Sequence, residues 1–264
     1  MANITIQPDR CTRCGRCQRV CPLKLFTVDP GAPTRPVAES SSRCIACGHC
    51  VSSCPTGAIL LDGVRPETLE SAAGPLPGFD EMRRLVVRRR SVRLFQQRNV
   101  PREEIGLVID AARWSPTAVN RQQVEWTVVL EPPRVREVAG QVVEFMRMKH
   151  GQTEIVTAWD HGYDIVMRGA PHLVAVHGAA DDAWARTDGV IAMTTFDLLA
   201  RAAGLGTCWA GFFLWAAAEH RPIAEGLGLP ENRVFHGALM VGYSLAAYLR
   251  VPARNPARIS WVDS

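Results

Sequence analysis

Apolar positions in the last two thirds of the chain recur with helical spacing more often than with the two-residue alternation of strands. Ile105, Val108, Ile109 and Ala112 fall at i, i+3, i+4 and i+7, which predicts one face of a helix over residues 101–114. Pro101 suits a first turn, Glu103 and Glu104 sit at the positive end of the dipole, and Ser115-Pro116 ends the run. Residues 82–93 form a basic amphipathic run, and 135–148 predict a further helix. Residues 188–203 predict a long, mostly apolar helix stopped by Gly204, and 216–227 read as helix too. Strands are predicted at 126–130, 173–177 and 238–243, the first closed by Pro132-Pro133 and the last by Gly242. Cys208-Trp209 starts a strand or a tight turn, and 150–168 favour no single state. Helices outnumber strands without alternating regularly with them, so the class expected is α+β rather than a doubly wound sheet.

The first 60 or so residues follow a different rhythm, set by cysteine. The run Cys11-x-x-Cys14-x-x-Cys17-x-x-x-Cys21-Pro22 returns 33 residues on as Cys44, Cys47, Cys50 and Cys54-Pro55, and uses eight of the nine cysteines. Residues 17–29 answer 50–62, so each half predicts a cluster loop, a short helix and a strand. Zinc sites and a secreted disulfide scaffold also use paired cysteines. Zinc needs only four ligands, and two four-Cys runs each followed by Pro fit it poorly. The spacing is the bacterial two-cluster one, in which the fourth Cys of each run ligates the other run's cluster. Cys11, Cys14, Cys17 and Cys54 are therefore assigned to one [4Fe–4S] cluster, and Cys44, Cys47, Cys50 and Cys21 to a second. Over residues 1–64 the chain resembles a bacterial-type ferredoxin, a carrier of single electrons. A domain this small is expected to depend on its clusters for stability.

Composition changes the picture less. At 264 residues, with 47% hydrophobic and 21% charged residues, the chain has room for two core-forming domains. The expected division is 1–69 for the two-cluster domain, a Pro- and Gly-rich linker over 70–81, and a larger domain over 82–264. Net charge is +4, and all 30 basic residues but Lys24 and Lys149 are Arg. So small an excess argues against nucleic acid as a partner. Residues 1–10 lack an apolar signal core, and the uncharged, mostly apolar stretch 202–218 is shorter than the ~20 residues of a spanning helix. No membrane association and a cytoplasmic, reducing setting are expected.

Three stretches of the larger domain carry candidate chemistry. Arg89-Arg90-Ser91-Val92-Arg93 packs three guanidinium groups and a hydroxyl into five residues, which suits a phosphate monoester or simply a solvated basic face. Residues 115–122 (Ser-Pro-Thr-Ala-Val-Asn-Arg-Gln) supply amides and hydroxyls, or merely stop a helix. Residues 204–211 (Gly-Leu-Gly-Thr-Cys-Trp-Ala-Gly) set small residues beside an aromatic. They are not read as a dinucleotide fingerprint, because they follow a helix.

In this order and spacing the three stretches resemble the FMN-dependent nitroreductase family, over residues 82–264. The resemblance implies a three-layer α+β homodimer with FMN at its interface. It places Arg89, Arg90, Ser91 and Arg93 on the phosphate and ribityl chain, with Arg254, or second Arg250, closing on the phosphate. It places Pro116, Thr117 and Ala118 against the isoalloxazine of the partner subunit, with Asn120 and Gln122 nearby. Backbone N–H groups of Ala210 and Gly211 would face flavin N5, beside Cys208 and Trp209. Two departures stand out: Gln123-Val124 replace a common Pro-Trp, and Ala210 stands where some members carry Glu, which puts pyridine-nucleotide docking in doubt.

Cys208 reads most simply as a small buried hydrophobe, and more sharply as a flavin contact. The seven His show no metal spacing. Trp209, Phe212, Phe213 and Trp215 read as wall and core. No catalytic side chain is expected, because the flavin carries the chemistry. The expected activity is passage of electrons from a low-potential donor through two [4Fe–4S] clusters to FMN, and on to a small acceptor of nitroaromatic, quinone or flavin type. Rivals are an electron-transfer module or redox sensor without turnover, and an NAD(P)H-fed reductase run in the opposite direction.

Overall fold

The structure, a computed structural model, describes residues 2–263. The chain forms two compact units. One comprises the residues up to Leu76 together with Thr117–Arg121; the other runs over Pro77–Pro116 and from Gln122 onward. The second unit's first helix starts at Phe79, inside the stretch expected to be linker.

In chain order the first unit contains β1 (Ile4–Ile6), α1 (Arg16–Val20), β2 (Phe26–Thr27), β3 (Arg35–Pro36), α2 (Ser40–Arg43), α3 (His49–Ser52) and β4 (Ile59–Leu61). The cysteine repeat is also a conformational repeat. Gly15 and Gly48 cap α1 and α3 from the left-handed region, at φ 66° and 74°, and two residues before them Arg13 and Ala46 are left-handed as well. These double reversals wrap each loop around its thiols. The halves do not pair strand to strand: β1 joins β4 antiparallel, with Ile4 opposite Leu61, and β2 joins β3. Leu25, Phe26, Val51 and Ile59 form the core with the buried Cys17, Cys21 and Cys50.

The second unit contains α4 (Phe79–Arg88), α5 (Arg102–Ala112), β5 (Glu125–Val129), α6 (Pro132–His150), α7 (Glu154–Asp160), β6 (His172–Ala179), α8 (Ala185–Ala202), β7 (Gly206–Trp209), α9 (Gly211–Glu219), α10 (Arg221–Glu225) and β8 (Arg233–Gly242). Its sheet has the order β5-β6-β8-β7 with every pair antiparallel. The pleat divides the core in two. Leu173, Ala175, Ala238 and Met240 point to one face, where α6, α7, α9 and α10 bring Val138, Val142, Val156, Phe213 and Ile223. Val174, Val176, Leu239 and Val241 point to the other, against Ile105 and Val108 of α5 and Met193 and Phe196 of α8. The result is a three-layer α+β sandwich, with a sheet buried on both faces.

One helix expectation needs correction, and one undecided stretch resolves. The stretch 216–227 is not one helix: α9 stops at Glu219, His220 is extended at φ −127° and ψ 88°, and α10 restarts with Pro222 in its first turn. Proline fits that first turn, where its missing N–H costs nothing, but not a helix interior. The undecided stretch 150–168 contains α7, started by Thr153, whose Oγ1 accepts from Val156 N at 3.4 Å. Among the described residues no helix is long and apolar enough to cross a membrane.

Candidate functional site

Cys11, Cys14, Cys17 and Cys54 ring one cavity, together with Thr34 and Ala58. Three come from the first run and the fourth from the second, because β4 returns the chain beside β1. Cys21 occupies the equivalent place in the other half. Cys54 Sγ accepts from Ala58 N at 3.2 Å and Cys21 Sγ from Leu25 N at 3.4 Å, each four residues on. Cys44 Sγ accepts from Ala46 N at 3.4 Å. Cys21 and Cys50 are buried in one core with Cys44 packed against it, and Cys47 is half-buried in the second loop. Among the described residues no three His, Cys, Asp or Glu side chains converge as a single ion requires. Thiols spread around a cavity suit a multi-iron cage better.

Burial raises Cys17 and pushes Cys50 up to about 11, whereas the Arg16 backbone N–H lowers the exposed Cys14. Buried thiols of this kind become thiolates when a metal takes the proton's place.

In the second unit, residues 89–93 leave α4 and run beside β7: Ser91 bridges Thr207 in parallel, and Val92 N donates to Thr207 O at 2.8 Å. The approach is close enough that a Cβ on Gly206 would lie 2.8 Å from Val92 Cγ2. Two cavities flank this pairing. Arg88, Arg89, Arg90, Arg201, Thr207 and Tyr248 line one of about 250 Å³. Arg93, Arg168, Cys208, Trp209, Gly211 and Trp215 are among the residues lining the other, of about 410 Å³. Arg89 and Arg90 are thus brought beside Thr207, and Arg93 beside Cys208, Trp209 and Gly211, from stretches more than 100 positions apart, whereas Ser91, Pro116, Thr117, Ala118, Asn120 and Gln122 are not among the residues that line either cavity. Cationic groups at one cavity and an aromatic wall at the other are what a flavin phosphate and a planar ring require.

The sequence did not point to several of these. Asp197 ion-pairs with Arg89 at 3.4 Å and accepts a hydrogen bond from Thr207 Oγ1, holding that guanidinium at the cavity. Arg201 is on the same helix as Asp197, one turn on, and Arg168 reaches the larger cavity from a loop in which Asp164 accepts from Met167 N and Gly169 N. Burial raises the thiol of Cys208, opposed by the cations Arg93 and Arg168.

Three expectations are corrected. Ala210 N does not face an open site: it donates to Ala238 O at 2.9 Å, extending the β7–β8 pairing. Gly211 opens α9, where first-turn N–H groups have no intrahelical partner. Arg254 and Arg250 stand exposed in the C-terminal segment, outside any helix or strand, and are not among the residues lining the arginine-rich cavity, to which Arg201 contributes instead. Finally, the 204–211 stretch does lead from a strand, β7, into a helix, α9.

The 116–122 loop splits between the units. Pro116 and Gln122 belong to the second, and Thr117, Ala118 and Asn120 to the first. There Asn120 Nδ2 donates to the Ile45 and Ala46 carbonyls, each at 3.1 Å, in the loop between Cys44 and Cys47. Val119, Asn120 and Gln122 are all left-handed, at φ 46°, 56° and 52°. For Val119, which is β-branched, that is a strained conformation.

The nitroreductase family profile matches residues 86–243, which is more than half of the chain. The chain belongs to the nitroreductase family. A 4Fe-4S dicluster domain profile matches residues 10–59, so the chain is a nitroreductase-family oxidoreductase with an N-terminal iron–sulfur domain. An Archaeoglobus fulgidus protein provisionally named NADH dehydrogenase/NAD(P)H nitroreductase is 24% identical over 62% of this chain and 86% of its own length. One of the same name from Methanothermobacter thermautotrophicus is 29% identical over 64% of this chain and 75% of its own. A Bacteroides fragilis nitroreductase solved with bound FMN shares the fold at 22% identity and a TM-score of 0.59, over 69% of this chain and 99% of its own. The nitroreductase fold is thus the one that the α+β expectation named.

Proposed function

We propose that this protein is an iron–sulfur flavoprotein that passes electrons from a low-potential donor through two [4Fe–4S] clusters to FMN, for reduction of a small nitroaromatic, quinone or flavin-type acceptor. The observation that carries the flavin half is the pair of cavities on either side of the 89–93 and β7 pairing, one lined by Arg88, Arg89, Arg90 and Arg201 and one by Arg93, Arg168 and Trp209. Cys54 standing with Cys11, Cys14 and Cys17 carries the cluster half. FMN, when bound, supplies the redox chemistry by accepting electrons singly and giving them in pairs.

The chain's own residues position it. Arg89, held by Asp197, and Arg90 take the phosphate with Arg201, and Ser91 adds a hydroxyl. Arg93 and Arg168 set positive charge at the ring cavity, which favours a reduced, anionic ring, and Gly211 offers a first-turn N–H. Trp209 and Trp215 wall the cavity against water. The 116–122 loop serves a partner subunit in a homodimer, as the family resemblance implies. No side chain stands out as an acid, so protons come from solvent.

The test is chemical and then kinetic. Anaerobically purified protein is expected to carry about eight iron, eight sulfide and one FMN per chain, if both clusters are of the four-iron type. After reduction, a nitroaromatic, a quinone or free flavin should reoxidise the bound flavin in a single turnover. Failure with all three removes the acceptor class, and absence of flavin removes the reading altogether.

A further inference from the structure

The two cysteine loops share a backbone and differ in everything placed on it. Arg13 and Ala46 occupy matching positions at φ 60° and 50°. Around the first loop Arg13, Arg16, Arg19 and Lys24 are all exposed, and no Asp or Glu occurs from Arg10 to Val28. The matching stretch, 43–61, contains no Asp, Glu or Lys and a single Arg, Arg43, the counterpart of Arg10, so from Cys44 to Leu61 it is uncharged. Cys14 stands among the first-loop cations and is the one exposed thiol of the repeat among the described residues. Arg19 is tied to the Cys14 carbonyl at 3.0 Å and Lys24 to the Arg19 carbonyl at 3.2 Å. Arg13 and Arg16 enter no ion pair among the described residues. The second loop, besides being uncharged, has its Ile45 and Ala46 carbonyls occupied by Asn120.

A four-iron cluster on four thiolates is anionic, so nearby cations offset its charge. That role alone does not explain the asymmetry between the loops, because both clusters would bear the same charge while cations stand between the cysteines of the first loop only, at Arg13 and Arg16. We infer that the first cysteine loop is the docking face for an acidic one-electron carrier protein, and that electrons enter at the cluster of Cys11, Cys14, Cys17 and Cys54. This rests on the two-cluster reading above. Complementary charge steers the encounter and orients the carrier toward Cys14, where the protein cover is thinnest. In the transfer one electron leaves the carrier's reduced centre and one arrives at the cluster, and no bond or proton changes.

The experiment is anaerobic stopped-flow reduction of the intact holoprotein. The probe is a reduced, acidic two-cluster ferredoxin, and reduced methyl viologen, a small cation, is the control. With ferredoxin, the second-order rate constant should fall as ionic strength rises. Replacing Arg13→Glu together with Arg16→Glu should lower it about tenfold or more at low salt, while the methyl viologen rate does not fall. If the double variant loses iron, the neutral pair R13Q/R16Q is read the same way with a smaller loss, and the wild-type salt series needs no variant. A ferredoxin rate insensitive to salt overturns the inference. So does an equal loss with both reductants accompanied by a shifted cluster potential, since the cations would then tune the cluster rather than meet a partner. Iron and sulfide assayed on the same samples separate the two failures. Missing clusters sink the underlying reading, and full clusters with salt-independent reduction sink only the docking face.

Discussion

A single buried imidazole at the start of β6 ties two loops of the second unit together. His172 Nε2 accepts from Val100 N at 2.7 Å, and Nδ1 donates to Leu130 O at 2.7 Å. Both bonds require the neutral ring with its proton on Nδ1. Burial lowers the pKa of His172, and lowers those of His177 and His236 as well. The folded state therefore binds fewer protons than the unfolded chain below the ordinary histidine value of about 6.5. Stability from these three groups is complete above that value and is lost as pH falls below it. Thermal unfolding should accordingly come earlier at pH 5.5 than at pH 7.5. In His172→Gln, whose loss of one or both bonds costs about 1–3 kcal/mol, the difference between the two pH values should shrink. Equal pH sensitivity in variant and wild type would assign the effect elsewhere. At the flavin cavities, Arg89→Gln removes the guanidinium that Asp197 holds. FMN should then bind about 10- to 100-fold more weakly, the worth of one charge-assisted contact, as read by flavin fluorescence on titration into apoprotein.

The sandwich itself depends on close approach between elements. A Cβ at Gly242 would lie 2.7 Å from Pro171 Cδ and 2.9 Å from Phe95 Cδ1, and one at Gly206 would strike Val92. Gly206→Ala should push residues 89–93 off β7, costing about 1–3 kcal/mol of stability, read as a lowered urea-unfolding midpoint, and weakening FMN binding with it. An unaltered flavin affinity in a destabilised Gly206→Ala would show that the two cavities do not depend on this pairing. Legibility varied from element to element for physical reasons. α5 and α8 were plain in the sequence because their apolar residues keep helical period over three or more turns. The α9–α10 break was hidden because Ala216, Ala217 and Ala218 are helix formers and Pro222 lies in a place a helix tolerates only if it has just begun. The motif stretches located Arg89, Arg93 and Cys208, which chain neighbours help to place. Asp197, Arg201 and Arg168 escaped, because only the packing of α8 and the 163–171 loop against β7 turns isolated charges into a lining. The Ala210 N–H was misassigned for a related reason: nothing local shows how far β7 extends its pairing with β8.

For the molecule as a whole, the crossed cysteines make a stoichiometric prediction. Cys54 sits with the first run's thiols, so Cys54→Ala should cost that cluster and leave the other, taking iron from about eight to about four per chain. FMN should remain bound, since Arg88, Arg89 and Arg90 lie in the other unit. Loss of flavin along with iron would show that the second unit does not hold its flavin without an intact first unit. The α+β class and the cysteine repeat were legible at this scale from spacing alone, whereas the ownership of the 117–121 segment was not. That segment makes the iron–sulfur unit discontinuous in sequence. Cutting after Leu76 would yield a fragment in which the Ile45 and Ala46 carbonyls have lost their Asn120 donor, with faster amide exchange expected around Cys47. The unit is therefore not a detachable cassette. Grafted onto another reductase it would arrive incomplete, so an exchange between relatives must carry the internal loop along with the N-terminal segment.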